Sequence, residues 1–281
     1  MDNIVPMAQS IAYLLEAFVL LYLAKLVYAK IFRRVDLIAE LYERHNAALA
    51  VAVTGYFLGI SLALGGALSG PSQGWQADLV SIGAYGVLAI LLMLIAGFLC
   101  EKVLLSRFDN TTEIIEDQNV GTAFVEAGMH IANGLIVLAI IQGEGPEIAG
   151  VAFWLMAQVV LIVAGRLYEW ITSHSIHREL ERDNSAVGLA FGGLLIGMGN
   201  IVSISVAGDF EGWRDSLGSF SLDVTFGFIA LYVIHKLTDI LLAPGVNLGA
   251  EQVEDQPNVG AGLIEAFGYV GGSTIIVWIS A

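Results

Sequence analysis

Cysteine, charge and catalytic signatures are all scarce in this chain. Cys100 is the only cysteine among 281 residues, so there is no intrachain disulfide and a disulfide scaffold is excluded. Charged residues make up 14%, against about a quarter in a typical soluble domain. Only 12 residues are Lys or Arg and the formal net charge is −15, which excludes a basic nucleic-acid binder. The chain lacks a Walker lysine loop, a dinucleotide-binding glycine fingerprint, H-E-x-x-H and G-x-S-x-G. No enzyme activity and no cofactor are therefore expected.

What is abundant is apolar surface. Apolar residues make up 57% of the chain and mean hydropathy is +0.76, which excludes a soluble globule and a disordered chain. A polytopic membrane protein remains. Crossing about 30 Å of hydrocarbon takes roughly 20 helical residues. Runs of that length occur near 11–32, 47–69, 79–100, 120–141, 148–171, 185–207, 220–242 and 259–280. Lipid offers no partner for unpaired backbone groups, so these runs are predicted to be helices. A β-barrel strand would alternate apolar and polar residues, whereas Ile90-Leu91-Leu92-Met93-Leu94-Ile95-Ala96 does not. The first run has no Lys or Arg before it, follows the acidic Asp2 and is too long for a signal-peptide core; a spanning helix is expected there.

Orientation follows the basic residues. The first link carries Arg33, Arg34 and Arg44, the third Arg107, and the fifth Arg178 and Arg182. The second and fourth links carry none, the sixth only Arg214, and the seventh none. Odd links are thus expected in the cytoplasm and both termini in the periplasm, with Trp75 and Trp213 at the outer surface.

The second half repeats the first at a shift of 138 or 139 residues. Glu43-Arg44-His45-Asn46 returns as Glu181-Arg182-Asp183-Asn184, Gly55-x-x-x-Gly59 as Gly193-x-x-x-Gly197, and Gly74-Trp75 as Gly212-Trp213. Glu116-Asp117-Gln118-Asn119 returns as Glu254-Asp255-Gln256-Pro257-Asn258, with one inserted proline. Two units, 1–145 and 146–281, are expected, each with four spans. An even number of spans gives both units one topology. The sequence reading is therefore an all-α bundle of eight transmembrane helices, two tandem four-helix repeats about a pseudo-two-fold axis along the membrane normal.

A four-span unit with E-x-x-N before its second helix and E-D-Q-N-V-G opening its fourth resembles the YjfL-like inner-membrane proteins, the bacterial family of domain of unknown function 350. Here the resemblance covers nearly the whole chain as two copies. It implies a multi-pass protein of the bacterial inner membrane without an assigned activity, in a family discussed beside envelope-stress proteins.

The residues that stand out chemically are Glu126 and its repeat Glu265. Each lies seven positions beyond the asparagine that opens its helix, about 10 Å deeper at 1.5 Å per residue. An acid at that depth is costly and marks a functional site by default. His130 follows Glu126 by one turn; its counterpart is Tyr269. These four are the candidate proton or cation relay, with a neutral carboxyl stapling helices as the bland reading. Asn46, Asn119, Asn184 and Asn258 suit helix capping. With Asp117, Gln118, Asp255 and Gln256 they would also ring a cytoplasmic mouth. Thirteen of the 27 acids fall in the odd links, a potential that would enrich cations or simply form a solvated face. Glu101 and Asp239 match under the repeat and lie toward the inner helix ends. So does His235 with Lys236, where snorkelling accounts for most charges. His174, His177 and Glu181 have metal-like spacing, but the first unit does not repeat it, and no metal site is assigned.

The function expected from these residues is passage or binding of a proton or small cation through the paired glutamates. The competing expectation is a non-transporting membrane scaffold in envelope stress that recruits a basic cytoplasmic protein partner through its acidic links. The lipid bilayer is the expected environment, a homo-oligomer is compatible, and no nucleic acid is expected.

Overall fold

The computed structural model describes residues 4–280; Asp2 lies outside them. The described residues form helices and no strand. In chain order they are α1 (Ile4–Val27), α2 (Ala47–Leu68), α3 (Trp75–Leu99), α4 (Asn110–Ile115), α5 (Val120–Gln142), α6 (Glu147–Ile171), α7 (Ile176–Leu180), α8 (Ser185–Val206), α9 (Trp213–Leu237), α10 (Leu248–Glu251) and α11 (Val259–Ser280). π-helical turns extend α1 through Tyr28–Phe32, α3 through Cys100–Leu104 and α9 through Thr238–Leu242; another, Ala39–Glu43, precedes α2. Eight helices are long and apolar enough to cross a membrane, matching the eight runs in the sequence. The short helices α4, α7 and α10 lie in the odd links and were not signalled by hydropathy.

Helices α2, α5, α8 and α11 form a row in that order, held by backbone-close packing. Small residues make this approach possible. A Cβ on Gly55 would sit 2.3 Å from the Ala127 Cα, and one on Gly193 2.5 Å from the Ala266 Cα. The two Gly-x-x-x-Gly motifs thus join α2 to α5 and α8 to α11. Between the halves, Gly128 meets Gly192, and Gly188 meets Gly121, at similar range. The spans of α5 and α8 are 67% and 78% buried, against 56% for α2 and 28% for α11, so burial is greatest in the middle of the row and least at its α11 end.

That arrangement revises one expectation. A two-fold axis would pair α2 with α11 as closely as it pairs α5 with α8. The packing joins α5 to α8 extensively, without an α2–α11 counterpart of comparable extent. The two tandem repeats therefore follow one another along the row, head to tail, instead of meeting through equivalent faces.

The four asparagines show why the row steps in this way. Each caps its helix, accepting from the Leu49, Thr122, Val187 or Ala261 amide. Three of them also reach along the row with their side-chain amides. Asn46 donates to the Ile114 carbonyl, Asn119 to Leu180 and Asn184 to Gln252, each time into the segment preceding the next row helix. Asn258 ends the series and is exposed, donating to Glu251 instead. The residue before each of the first three asparagines is left-handed: His45 (φ 53°), Gln118 (φ 53°) and Asp183 (φ 56°). The fourth position is Pro257, whose ring forbids that conformation; the one-residue insertion gives the chain another route to Asn258. On the opposite face, Gly74 and Gly212 precede α3 and α9 with φ of 109° and 105°, which explains the repeated Gly-Trp.

Candidate functional site

Glu126 and Glu265 are both buried, at 1% and 2% exposure. Each accepts a hydrogen bond from a tyrosine of its unit's first helix: Tyr28 Oη at 2.9 Å for Glu126, and Tyr168 Oη at 3.0 Å for Glu265. Beyond this shared bond the two surroundings differ.

In the first unit, Arg33 closes the site. Its guanidinium Nη2 donates to Glu126 Oε2, forming an ion pair with both side chains essentially out of solvent. Its Nη1 donates to Thr111 Oγ1 at 2.9 Å and lies 3.9 Å from Glu101 Oε2. The Phe32 ring stands under the guanidinium, 4.4 Å from the ring centre, an arrangement that suits a desolvated arginine. Glu101 also pairs with Lys102 at 2.5 Å. Two carboxylates here face two permanent cations. His130 sits beside this cluster, 3.9 Å from Glu126, too far for a hydrogen bond. Neither of its ring nitrogens has a partner, and the Phe32 and Tyr56 rings enclose it edge-on.

In the second unit, Glu265 accepts from Gln252 Nε2 at 2.5 Å and faces His235 Nδ1 at 3.3 Å. The other imidazole nitrogen is 3.7 Å from Asp239 Oδ2, so His235 bridges two carboxyl groups. Tyr269 stacks on the imidazole at 6.0 Å between ring centres, with its hydroxyl 3.2 Å from His235 Nδ1. Under the repeat, His235 corresponds to Gly97, and Gly97 is filled over by Phe32 and His130. The histidine has moved from the fourth helix in one unit to the third in the other.

A cavity of about 490 Å³ leads to Glu265 from the fifth and seventh links. Thr172, Ser173 and His174 form one wall, Asn247 and Gly249 another, and His235, Lys236 and Asp239 a third. Burial holds the His174 imidazole below the ordinary histidine range, and both its nitrogens lack partners. On the opposite face a second cavity, about 760 Å³, is floored by Trp154 and edged by Glu144, Ser205 and Asp209. Further polar groups lie deeper in the second unit. Ser273 is two turns beyond Glu265 on α11 and accepts from the Asn200 amide at 2.9 Å; Ser203 lies one turn beyond Asn200. In the first unit the deeper polar group is Asn133, which accepts from Trp154 and Gln158.

The expected mouth residues divide. Asn46, Asn119 and Asn184 are buried and committed to caps and the links between row helices. Asp117, Gln118, Asp255 and Gln256 are exposed, as is Asn258. Glu113 of α4 accepts from the Asn119 amide at 2.7 Å; its partial burial, with Asp117, Glu181 and Asp183 nearby, raises its carboxyl above the usual range. His177 uses both ring nitrogens, on Glu169 (2.9 Å) and the Leu104 carbonyl (3.1 Å), so it offers none to a metal.

The sequence model of the family described as Domain of Unknown Function (DUF350) matches residues 2–141 and again 145–279. The chain belongs to that family. The chain is also 22% identical over 238 residues to a UPF0719 transmembrane protein of Aquifex aeolicus (strain VF5), covering 83% of this chain and 85% of that relative. No solved structure matches it. This is therefore a multi-pass membrane protein carrying two DUF350 units.

Within each DUF350 unit the first helix supplies the tyrosine, and sequence reasoning missed it. Tyr28 and Tyr168 are 140 residues apart, two more than the shift that aligns most of the repeat, so they do not coincide under it. Arg33 was counted as a link charge, although its side chain is fully buried. Two further intramembrane acids, Glu16 and Asp223, are half-buried on α1 and α9 and have no acidic counterparts in the other unit.

Proposed function

We propose that the protein binds and passes a proton or small cation through its second DUF350 unit, with Glu265 as the carrier carboxylate. The observation that carries this reading is the cavity that ends on Glu265, a carboxylate at 2% exposure. An acid that is both buried and reachable can change its partner, whereas one locked to a permanent cation cannot. His235 and Asp239 add titratable groups within 3.3–3.7 Å of one another's atoms. Tyr269, Ser273, Asn200 and Ser203 extend polar groups from Glu265 toward the opposite cavity. Glu126, tied to Arg33, would be the structural partner in the first unit.

In this reading the cavity faces the cytoplasm and both termini face the periplasm of the inner membrane. The support is Arg34, Arg44, Arg107, Arg178 and Arg182 on the odd links, with Arg33 removed from the count by its burial. The test is flux in proteoliposomes under an imposed pH or cation gradient. Glu265→Gln should abolish the flux, and a folded Glu265→Gln variant with wild-type flux would refute the assignment. The second reading, a scaffold that recruits a basic partner, draws support from the exposure of Glu116, Asp117, Glu254 and Asp255. Reversing those four charges should then abolish capture of the partner while leaving flux intact.

A further inference from the structure

The two units solve the same electrostatic problem in different ways. In the first unit the carboxylates Glu126 and Glu101 bracket the guanidinium of Arg33, with Thr111 as a third partner. The polar partners of that guanidinium have counterparts, whereas the Phe32 ring beneath it does not: four residues past Tyr168 is Thr172. Glu126 corresponds to Glu265, and Tyr28 to Tyr168. Glu101 and Asp239 are each the second residue of the π turn that extends the third span. Thr111 and Gly249 are each two residues beyond the cap of the short helix, Asp109 and Asn247. Arg33 lies five residues past Tyr28, and the residue five past Tyr168 is Ser173. Ser173, Asp239, Gly249, Tyr168 and Glu265 all line the 490 Å³ cavity. The residues that correspond by these counts to Arg33 and its polar partners thus share one cavity.

The second unit does not compensate fully from its own residues. His235 stands between Glu265 and Asp239 but supplies at most one positive charge to two carboxyl groups. Lys236 is exposed and turned onto the Tyr232 ring, its Nζ 5.8 Å from the ring centre. Asp239 Oδ1 is hidden from solvent without a hydrogen-bond partner, as is Oε1 of the fully buried Gln252 beside Glu265. A buried acceptor left unpaired is costly, and Asp239 lines the cavity, where a planar cation with several donors would satisfy its Oδ1.

We infer that the second-unit cavity is a binding site for a small organic cation with a guanidinium head, seated beside His235 against Glu265 and the unpartnered Oδ1 of Asp239. This rests on the proposed cation site at Glu265 and gives it a ligand class. The mouth at Ser173 leaves space for the rest of such a molecule to extend toward the fifth and seventh links.

The probe is methylguanidinium, titrated calorimetrically into the purified full-length protein in nanodiscs, with potassium and tetramethylammonium as comparisons. The wild type should bind one methylguanidinium per chain. Ser173→Arg supplies the head group from the chain itself and should weaken binding about 30-fold or more, the loss expected for a buried charge pair worth over 2 kcal/mol. Asp239→Asn, which leaves the cavity open, should weaken it as well. Retention of the wild-type melting profile by Asp239→Asn keeps the comparison valid if Ser173→Arg misfolds. Absence of methylguanidinium binding to the wild type, or binding unchanged in a folded Ser173→Arg or Asp239→Asn variant, overturns the inference. If Glu265-dependent flux persists without methylguanidinium binding, this inference fails and the proposed function stands. If methylguanidinium binds as described and flux is absent, the site stands and passage fails.

Discussion

Neutralising the two buried glutamates should have unequal consequences for stability. In the Glu126→Gln variant the Arg33 guanidinium, with a side chain at 0% exposure, loses its main counter-ion. Breaking one member of a buried pair costs about 3–5 kcal/mol. Glu101 remains 3.9 Å away, which places the loss near 3 kcal/mol at the lower end. In a chain of this size each kcal/mol moves the melting temperature by about 2–4 °C, so the expected drop is about 6–12 °C. Glu265→Gln leaves no arginine stranded, and its amide oxygen can still accept from Tyr168; about 1 kcal/mol and 2–4 °C are expected. Adding Arg33→Met to Glu126→Gln removes the stranded charge and should restore most of the loss, a coupling of roughly 2 kcal/mol or more. Thermal unfolding of five proteins in one detergent (wild type, Glu126→Gln, Arg33→Met, their double variant and Glu265→Gln) measures the cycle and the comparison. Equal shifts for the two single glutamine variants, or strict additivity in the double variant, would refute the assignment of Arg33–Glu126 as a locked pair.

Three further outcomes follow from the geometry. Gly192→Val places a side chain 2.5 Å from the Phe124 carbonyl at the seam between the repeats, and should lower the melting temperature by the amount of about 1–3 kcal/mol typical of overpacking. Gln118→Gly relieves a left-handed non-glycine residue and should raise it by about 1 kcal/mol, whereas Gly74→Ala should lower it; the opposite signs are the check. His174 is held neutral by burial, so its folded-state affinity for protons is below the unfolded value near 6.5. The stability it contributes is complete above pH 6.5 and is lost as the pH falls through that value toward its lowered one; a His174→Asn variant should show a shallower acid decline in a pH series of melting curves.

Much of the scaffold was legible because lipid imposes period and length on the chain. The eight runs, the asparagine caps and the Gly-x-x-x-Gly contacts all follow from rules that act within one helix or between two. The pairing of Glu126 and Glu265 was legible because the repeat preserves their distance from a cap. Their partners were not, for a specific reason: Tyr28 and Arg33 approach Glu126 from a span about 95 residues away, and the π turn at Tyr28–Phe32 alters the register in which they arrive. A hydropathy profile places Arg33 at a helix end, where snorkelling is the default. Only packing shows that it turns inward. The head-to-tail row was hidden similarly, because an even number of spans fixes topology but does not choose between rotation and translation.

A head-to-tail relation also explains how the halves came to differ. In a two-fold arrangement the two sites would face equivalent neighbours, and a change favourable in one would be favourable in the other. Along an open row they face different ones. Glu126 lies on α5, one of the two central helices, where Arg33, Phe32 and His130 fill the available space. Glu265 lies on α11, the terminal helix, whose far side meets no further unit and whose preceding α10 is a single short turn with Gly249 where the first unit has Thr111. The central position favours a permanent internal cation, because Glu126 is buried there and an unpaired buried carboxylate is costly. The terminal position differs, because the cavity through the fifth and seventh links reaches the carboxylate of Glu265. Exchange of Arg33 and Ser173 between the units therefore should not produce a mirror-image protein: Ser173→Arg fills an existing space, while Arg33→Ser leaves Glu126 buried without one.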